Sequence, residues 1–409
     1  MRTSTYRYGQ LFDIIDGDRG KNYPSKNDFS DKGYCLFLNA GNVTKTGWAF
    51  ENNEFITQEK DEQLRKGRVK RGDTILTTRG TVGNAAYYDD RVPFDHLRIN
   101  SGMVILTAKD NTVITNEFVY YIVKSPIAKK TIDLFCSGSA QPQLPIKDFI
   151  KIKINLPSID KQKRIVSVLS AYDDLIGINN KRIKVLEQMA ENLYKEWFVR
   201  FRFPGHETTE LENGIPLGWT QKRADQAIVF NPTIGDSKQD QYTIIPMESL
   251  STSSMVLDSN SFVIQESLSG KRSQNGDTLF AKITPCLENG KTGFVMGMPE
   301  GTVCGGSTEF IVLRSKTLTP HYVYFLARSY YFRQTAILSM NGADGRQRVD
   351  EHKMKSTKII QPPKAILDAF EGYVSPIFEM IHHLVVENNN LIKQRDLLLP
   401  RLMNGKLEV

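Results

Sequence analysis

Two stretches of the chain carry apolar residues at a spacing that alternates between four and three. The first stretch runs from Ile165 to Trp197 and the second from Val374 to Leu402. This alternation, kept up over about four heptads, is typical of a long helix that packs against another helix. Pro157-Ser158 and Pro204-Gly205 mark the start and the end of the first helix.

The second helix is expected between Pro362-Pro363 and Asn404-Gly405. Two further prolines, Pro376 and Pro400, lie inside this stretch. Proline removes a helical hydrogen bond and clashes with the preceding turn. We therefore expect a kink or a late start at Pro376 and a frayed end at Pro400.

A single apolar seam cannot bury itself, so each helix needs a partner, and the simplest partner is the other helix. Both helices follow a globular part in the same order, so a pseudo-two-fold arrangement makes them antiparallel. Asn179 and Asn388 then meet near the middle of the seam, where a buried Asn fixes the register at a cost in stability. The residues predicted to pair the helices at this point are Ile176, Asn179, Ile183, Val385, Asn388 and Ile392.

The chain also repeats itself outside the helices. Gly72–Leu76 recurs as Gly276–Phe280, and Thr115–Tyr121 recurs as Thr319–Phe325, in both cases 204 residues later. The helical stretch from Asn179 resembles the stretch from Asn388 at an offset of 209. Two halves of about 205 residues therefore share one plan.

Each half begins with a part that is rich in strand and turn residues. The Gly-Asp-Thr sequence at Gly72 and its copy predict a turn into a strand, and Ser101–Thr107 predicts another strand. A helix is expected over Asn116–Ile132, with its counterpart over His321–Ile337. Each half then closes with one of the long helices.

Composition and charge narrow the class of protein. The length of 409 residues favours more than one domain, and 40% hydrophobic with 24% charged residues is typical of a globular protein. The net charge of +7 permits a phosphate-rich partner. The four cysteines are too scattered for a disulfide framework or a metal site. No apolar run suggests a membrane span or a signal peptide, so a cytoplasmic location is expected.

Five segments of the chain resemble the specificity subunits of Type I restriction–modification systems. The likeness extends over nearly the whole chain, and the order of the segments together with the 204-residue repeat makes it specific. The segments are Asp16–Pro24, Leu156–Ile165, Gly214–Trp219, Gly276–Lys291 and Arg395–Gly405.

The resemblance implies an α+β fold with a pseudo-two-fold repeat, in which two similar mixed α/β target-recognition domains are joined by two long antiparallel coiled-coil helices. The expected boundaries are 1–157 and 204–361 for the recognition domains, and 158–203 and 362–409 for the helical spacers. Each recognition domain would read one half of a bipartite site in double-stranded DNA. The paired helices would set the spacer and dock the modification (methyltransferase) subunits, in a complex that also contains the restriction (endonuclease/translocase) subunit.

The sequence contains no complete catalytic motif, so we expect a non-catalytic subunit without cofactor or metal. Gly290-Lys291-Thr292 resembles the end of a phosphate-binding loop, but Pro285 stands where that motif needs glycine. Asn231-Pro232-Thr233 lacks the second proline and the aromatic residue of amino-methyltransferases, and Glu351-His352-Lys353 lacks the upstream partner of a nuclease motif. A diverged methyltransferase or nuclease, and a coiled-coil adaptor, remain as alternatives.

Base recognition needs Arg or Lys for guanine and Asn or Gln for adenine, and phosphate contacts need further cations and hydroxyls. These residue types cluster in turns of each half. The DNA-binding candidates in the first half are Arg19, Lys21, Asn22, Thr78, Arg79, Gln141 and Gln143. Those in the second half are Lys282, Thr284, Asn289, Lys291, Arg346, Gln347 and Arg348.

The repeat supports two of these groups, because the 204-residue offset places Lys282–Thr284 beside Thr78–Gly80 and pairs Gln347 with Gln143. The mixed-charge run Lys60–Arg71 is interpreted instead as the solvated face of a helix.

Overall fold

The computed structural model describes residues 4–45, 47–50, 52–136, 142–235, 239–343, 345–403 and 406–408. The chain divides into two compact units. Unit 1 comprises Met1–Ile176 with Asn390–Val409, and unit 2 comprises Gly177–Asn389.

Unit 1 contains twelve strands in its described part. They are β1 (Ser4–Arg7), β2 (Phe12–Asp16), β3 (Cys35–Leu38), β4 (Val43–Thr44), β5 (Gly47–Trp48), β6 (Phe55–Ile56), β7 (Arg68–Val69), β8 (Thr74–Thr77), β9 (Ala85–Tyr87), β10 (Leu97–Ile99), β11 (Met103–Ala108) and β12 (Lys153–Leu156). The order β2-β11-β8-β9 forms one sheet, and β6-β3-β10-β7 forms a second. Strand β1 pairs antiparallel with β12, and β10 pairs parallel with β3.

Unit 2 repeats this topology with eleven described strands. They are β13 (Leu211–Glu212), β14 (Ile215–Pro216), β15 (Thr220–Arg223), β16 (Ile228–Phe230), β17 (Tyr242–Ile245), β18 (Val263–Gln265), β19 (Thr278–Ala281), β20 (Thr292–Phe294), β21 (Gly305–Gly306), β22 (Phe310–Ser315) and β23 (Lys358–Gln361). The order β16-β22-β19-β20 matches the first sheet of unit 1, and β18-β17-β21 matches three strands of its second sheet. The parallel pair is again present, between β17 and β21.

The first sheet of each unit is covered on both faces, because successive residues of a strand point to opposite sides. In unit 1, Leu76 packs in the core that includes the helices, whereas its neighbour Ile75 packs against the second sheet. In unit 2, Phe280 and Leu279 divide in the same way. The predicted Gly-Asp-Thr turns are confirmed, since β8 and β19 begin at the threonine of each copy.

The short helices occur at matching places in the two units. They are α1 (Tyr8–Leu11), α2 (Gln58–Gln63), α3 (Asn116–Lys124), α4 (Pro126–Phe135) and α5 (Ile146–Phe149) in unit 1, and α7 (Ala224–Ala227), α8 (Pro320–Arg328), α9 (Tyr330–Leu338) and α10 (Glu351–Ser356) in unit 2. Single 3-10 turns lie at Lys26–Asp28, His206–Thr208, Met247–Ser249 and Ser259–Ser261.

The single helix predicted over Asn116–Ile132 is wrong, because the chain forms two helices there. Ser125 adopts an extended conformation with ψ 146°, ends α3 and caps α4. A residue before proline disfavours the helical region, and Pro126 follows. The predicted counterpart in unit 2 is divided in the same way at Ser329, with ψ 148°.

The two long helices are α6 (Ile159–Tyr194) and α11 (Lys364–Met403), and α6 continues into a π-helical turn over Lys195–Val199. Helix α11 begins at Lys364, directly after Pro362-Pro363 as predicted, so of the kink or late start expected at Pro376 the late start is wrong. Leu367 and Phe370, both buried in the core of unit 2, anchor this first part. The helix also continues beyond Pro400 to Met403, so the end expected at that proline lies later.

Both units contain a section of each long helix, and the sections run antiparallel. In unit 1, Ile165 and Leu169 of α6 share a core with Leu399 and Leu402 of α11. In unit 2, Ile183 packs with Ile381 and Leu384. Farther along α6, the ring of Trp197 lies 5.9 Å from that of Phe370. Rising numbers on α6 therefore face falling numbers on α11 in each unit.

Candidate nucleic-acid interface

In unit 1 the candidate residues gather where β8 ends. The backbone N–H of Thr78 donates to the carbonyl of Gly102 at 2.7 Å. Arg79 forms an isolated antiparallel bridge with Gln143. We call Thr78, Arg79, Gly102 and Gln143 the strand-end site of unit 1. Gln141, predicted beside it, lies outside the described residues.

Unit 2 has the same arrangement at the end of β19. The N–H of Lys282 donates to the carbonyl of Glu309 at 3.0 Å, and Ile283 bridges Arg348. Lys282, Ile283, Glu309 and Arg348 form the strand-end site of unit 2. The counterpart of Gln143 is therefore Arg348, and the predicted pairing with Gln347 is off by one residue. Unit 2 has one more residue than unit 1 between the two bridged segments, and the constant offset of 204 does not account for it.

Arg348 is held by an acid. Its guanidinium donates to both carboxylate oxygens of Glu309, with Nη2 at 2.7 Å from Oε1 and Nε at 3.0 Å from Oε2. The hydrogen bonds from Arg348 lower the pKa of Glu309. Arg348 is still half exposed. Such a bidentate pair fixes the plane of a guanidinium before any ligand arrives.

The other candidates in unit 2 differ in whether their side chains already have partners within the protein. Lys282 lies 3.7 Å from Glu351, and Nζ of Lys291 donates to the carbonyl of Met247 at 3.1 Å. The hydroxyl of Thr284 accepts the N–H of Gln347 at 3.1 Å, which ties the two candidate loops together. Two further candidates, Asn289 and Arg346, are exposed.

A second group of candidates lies on the loop after β2. Arg19 pairs with Asp16 at 3.1 Å and donates to the carbonyl of Ser101 at 3.3 Å, next to Gly102 of the strand-end site. Lys21 is exposed, whereas Asn22 donates to the carbonyl of Gln63 at 3.1 Å. The loop thus extends the strand-end site of unit 1 by two cations.

Thr78 does not face solvent. It is only 4% exposed, and its hydroxyl donates to the carbonyl of Gly102 at 3.0 Å. Because both its N–H and its hydroxyl bind one carbonyl, Thr78 supports the loop from inside. In this conformation its side chain is not available for a DNA contact.

The segment Lys60–Arg71 is not a single solvated helix, so that prediction is wrong. Helix α2 ends at Gln63, and Asp61 is buried where it accepts hydrogen bonds from Arg98 and Arg68. The next loop packs on the Arg19 loop, since the N–H groups of Gly20 and Arg65 both donate to Asp18. These bonds lower the pKa of Asp18.

This packing adds three cations that the sequence analysis did not select. Arg65, Lys66 and Arg68 line an open cavity of about 510 Å³ beside the Arg19 loop. Gly67 is the sequence feature that could have indicated this packing. It has φ +90°, and a Cβ at this position would lie 3.0 Å from Ile99. A glycine required for close packing in the middle of a charged run argues against a regular helix.

The comparisons with known proteins agree with this geometry. Residues 3–188 match the family model described as Type I restriction modification DNA specificity domain. The chain is 26% identical to the MjaIX specificity subunit of Methanocaldococcus jannaschii, over 87% of this chain and 82% of that protein. It is 23% identical to the HindI specificity subunit of Haemophilus influenzae, over 96% and 98%.

A solved structure shows the same fold. The S subunit of a Type I restriction–modification system from M. genitalium superposes with a TM-score of 0.55 at 12% identity, covering 98% of this chain and 96% of that one. Along nearly its whole length the chain is similar to specificity subunits of Type I restriction–modification systems. The expected fold class is thereby confirmed. The relatives are named as specificity subunits, which does not favour the alternatives of a methyltransferase or a nuclease.

The predicted helix-pairing residues fall on the seam of unit 2 or at its boundary. Nδ2 of Asn179 donates to Oδ1 of Asn388 at 3.1 Å and to Oε2 of Glu387 at 2.9 Å. Nδ2 of Asn388 donates to Asn180 at 2.9 Å. Both amides of the pair are therefore satisfied. The other predicted residues are buried or half buried, namely Ile176, Ile183, Val385 and Ile392.

The long helices carry a second polar pair, which was not predicted from the sequence. In unit 1, Arg395 of α11 donates to Asp173 of α6 at 2.5 Å, and Asp173 also accepts from Tyr121 at 2.9 Å. Burial alone would raise the pKa of Asp173, but Lys124 and Arg395 stabilise its charged form and hold the pKa below its usual value. In the sequence Arg395 stood out as the first residue of the segment Arg395–Gly405.

No further chemistry is assembled in the described ranges. Within them, no group of three or more His, Cys, Asp or Glu side chains is placed to hold a metal ion. Among the same residues, no helix has both the length and the hydrophobicity that crossing a bilayer requires. The Asn231 motif is structural here, because the side chain donates to Glu351 at 2.8 Å and accepts the N–H of Val312 at 3.1 Å.

Proposed function

We propose that this chain is the sequence-specific DNA-recognition subunit of a Type I restriction–modification complex. Each unit presents one strand-end site, and each site reads one half of a bipartite site in double-stranded DNA. The single observation that carries this proposal is the repetition of the site. The Thr78–Gly102 and Lys282–Glu309 backbone bonds are equivalent, and so are the Arg79–Gln143 and Ile283–Arg348 bridges.

Two domains that recognise different DNA sequences need different side chains at equivalent positions of the same backbone. In unit 1 the bridged pair offers Arg79 and Gln143, which suit guanine and adenine. In unit 2 the corresponding positions offer Ile283 and Arg348, with Lys282 beside them. The proposed domains are 1–157 and 204–361 for recognition, with 158–203 and 362–409 as helical spacers. The chain itself carries out no chemical step.

The helices offer a surface to other subunits. In unit 2, large apolar side chains away from the seam are about half exposed, including Ile178, Val185 and Met189 on α6 and Tyr373 on α11. Exposed apolar patches on helices mark protein contacts. We assign this surface to the modification subunits, in a cytoplasmic complex that also contains the restriction subunit.

Half-site binding tests the proposal. In the assembled complex, replacing Arg346 and Arg348 with Ala should weaken binding by about 1–3 kcal/mol for the half-site read by unit 2 only. Arg79→Ala is the matched variant and should act on the other half-site. Competition with duplexes in which one half is scrambled separates the two effects. Equal losses on both halves would rule out modular recognition.

The spacer tests the role of the helices. Four residues inserted after Lys181, with four more after Val385 so that the antiparallel partner grows equally, lengthen each helix by about 6 Å. The non-specific spacer should then grow by about one base pair or more while both half-site sequences stay the same. The same insertion after the exposed Glu300 is the control. Sequencing of methylated sites gives the spacer, and an unchanged spacer in an active variant would show that the helices only dock partners.

A further inference from the structure

Unit 2 contains a cavity that none of the predicted functions uses. It measures about 410 Å³ and lies where the end of α6, the start of α9 and the Asn289–Lys291 loop come together. Four cations line it, namely Lys195, Arg200, Arg328 and Arg333, against a single acid, Glu191.

Two of these cations form ion pairs with acids at short distance, and in the part of the chain that the structure describes the hydrogen bonds of the other two do not involve an acid. Lys195 pairs with Glu191 at 2.7 Å, and Arg200 pairs with Glu196. Arg328 donates to neutral oxygens, the Tyr324 hydroxyl at 3.1 Å and the Ser254 carbonyl at 3.4 Å. Nε of Arg333 is buried, and the described residues provide no acceptor for it. A buried donor without an acceptor is costly, so an oxygen acceptor such as that of an anion would be favoured beside it.

The backbone around the cavity also favours an anion. Helix α9 begins here, and its first N–H groups carry partial positive charge. The π-helical turn, closed by the N–H of Arg200 to the carbonyl of Lys195 at 2.9 Å, brings both cations to the rim. At Gly290 a Cβ would lie 2.7 Å from Nη1 of Arg333, so glycine leaves the guanidinium its space.

We propose that this cavity binds one backbone phosphate of the DNA next to the half-site read by unit 2. Two guanidinium groups and a helix N-terminus match a phosphate group, with donors from several directions. The adjoining loop carries the DNA-contact candidates Asn289 and Lys291, which favours DNA over another source of phosphate. This inference rests on the proposed function and adds to it a site that only one unit has.

In the described part of unit 1 the equivalent positions do not form such a site. The repeat places Lys124 and Lys129 at the positions of Arg328 and Arg333. Lys124 is committed to Asp173 at 3.6 Å and to the Tyr120 hydroxyl at 2.5 Å. Pro126 stands at the position of Tyr330, so the first turn of α4 has one N–H fewer to offer.

The test compares Arg333→Gln with Lys129→Gln in the assembled complex, using a duplex that contains the bipartite site. Arg333→Gln should weaken binding about tenfold and reduce the slope of log affinity against log salt by about one. Lys129→Gln removes the same charge from the matching helix of unit 1 and should leave the slope nearly unchanged. Arg333→Lys should restore the slope but only part of the affinity, because lysine keeps the charge and loses the fork.

A duplex series with one neutral methylphosphonate at a time locates the phosphate. At one position beside the unit 2 half-site, wild type and Arg333→Gln should bind equally. A persistent difference at every position, or an Arg333→Gln variant with wild-type affinity and slope, would overturn the inference. So would a variant that binds DNA normally but no longer assembles with the other subunits, since the cavity would then hold an acidic group of a partner. Failure of the wild-type complex to bind the bipartite duplex would instead refute the proposed function.

Discussion

Strand β10 of unit 1 and strand β21 of unit 2 occupy the same place in their second sheets but differ in composition. In unit 1, Arg98 on β10 is 3% exposed, and its Nε donates to the fully buried Asp61 at 2.6 Å. In unit 2 the strand consists of Gly305 and Gly306, and a Cβ at Gly270 would lie 1.7 Å from the carbonyl oxygen of Gly306. One sheet is therefore joined by a buried ion pair and the other by close backbone packing.

The first sheets show no such divergence. Both use the same strand order, both enter β8 or β19 from a Gly-Asp turn, and both pack one face on the long helices. The comparison teaches where each unit can vary. The sheet that contacts the helices is constrained by that packing. The second sheet and the loops next to it are held together by different interactions in the two units.

The largest effect is expected from breaking the ion pair. Asp61→Ala leaves Arg98 buried without its carboxylate, and removing one partner of a buried pair costs about 3–5 kcal/mol. Hydrogen exchange should show faster opening of β3 and β10 and unchanged protection of β17 and β21. Asp90→Ala, at a fully exposed side chain, is the control. Normal protection of β10 in Asp61→Ala would mean that apolar packing alone holds this sheet.

An intermediate effect is expected at the asparagine pair of unit 2. Asn388→Leu leaves the Asn179 amide with only Glu387 as a partner, at a cost of about 1–2 kcal/mol. The double variant with Asn179→Leu should recover that loss, because an apolar pair fits the seam, although the register is then less well specified. Chemical denaturation measures both, with the exposed Asn390→Leu as control. A double variant no more stable than the single one would show that the pair does more than fix register.

The smallest effect is expected when acid titrates the Asp173 ion pair of unit 1. The pKa of Asp173 is lower in the folded state than in the unfolded chain. Its ion pair therefore contributes stability above the unfolded pKa, about 3.9, and that stability is lost as the pH falls through the folded value. Asp173→Asn should lower stability near neutral pH and flatten its decline below about pH 4. Asp13→Asn, at an exposed carboxylate, should leave the decline as in wild type, and parallel curves for Asp173→Asn and wild type would contradict this role.

The sequence predicted the elements that are written in long periodic patterns. The two seams, the repeat and the turn at Gly72 depend on residues that are close in sequence or regularly spaced, and all three appear in the structure. The break at Ser125 was missed although Pro126 signals it, because the apolar residues continue across it. The late start considered at Pro376 does not occur because Leu367 and Phe370, which precede that proline, pack in the core with the π-helical turn region of α6, a contact between residues far apart in the sequence.

The sequence predicted which loops contain the candidate residues but not which contacts those residues make. Arginine in a glycine-flanked turn suggested a base contact, yet only the folded chain shows that Arg348 is held by Glu309, 39 residues away. The same limit explains Thr78, whose polarity suggested solvent but whose hydroxyl is buried against Gly102. The placement of the Arg333 guanidinium has no signature in the sequence, since its Nη1 lies close to Gly290 in another loop and the burial of its Nε depends on the fold.

The division of the long helices between the units has a consequence for synthesis on the ribosome. The core of unit 1 includes Leu399 and Leu402, which are translated after every described strand and helix of unit 2. Unit 2 therefore has all of its own residues first and can fold during elongation, while the amino-terminal unit waits for its last core residues with part of its apolar surface uncovered. A chain that ends at Asn389 should be cut by protease within unit 1 but not within unit 2, although unit 1 is made first.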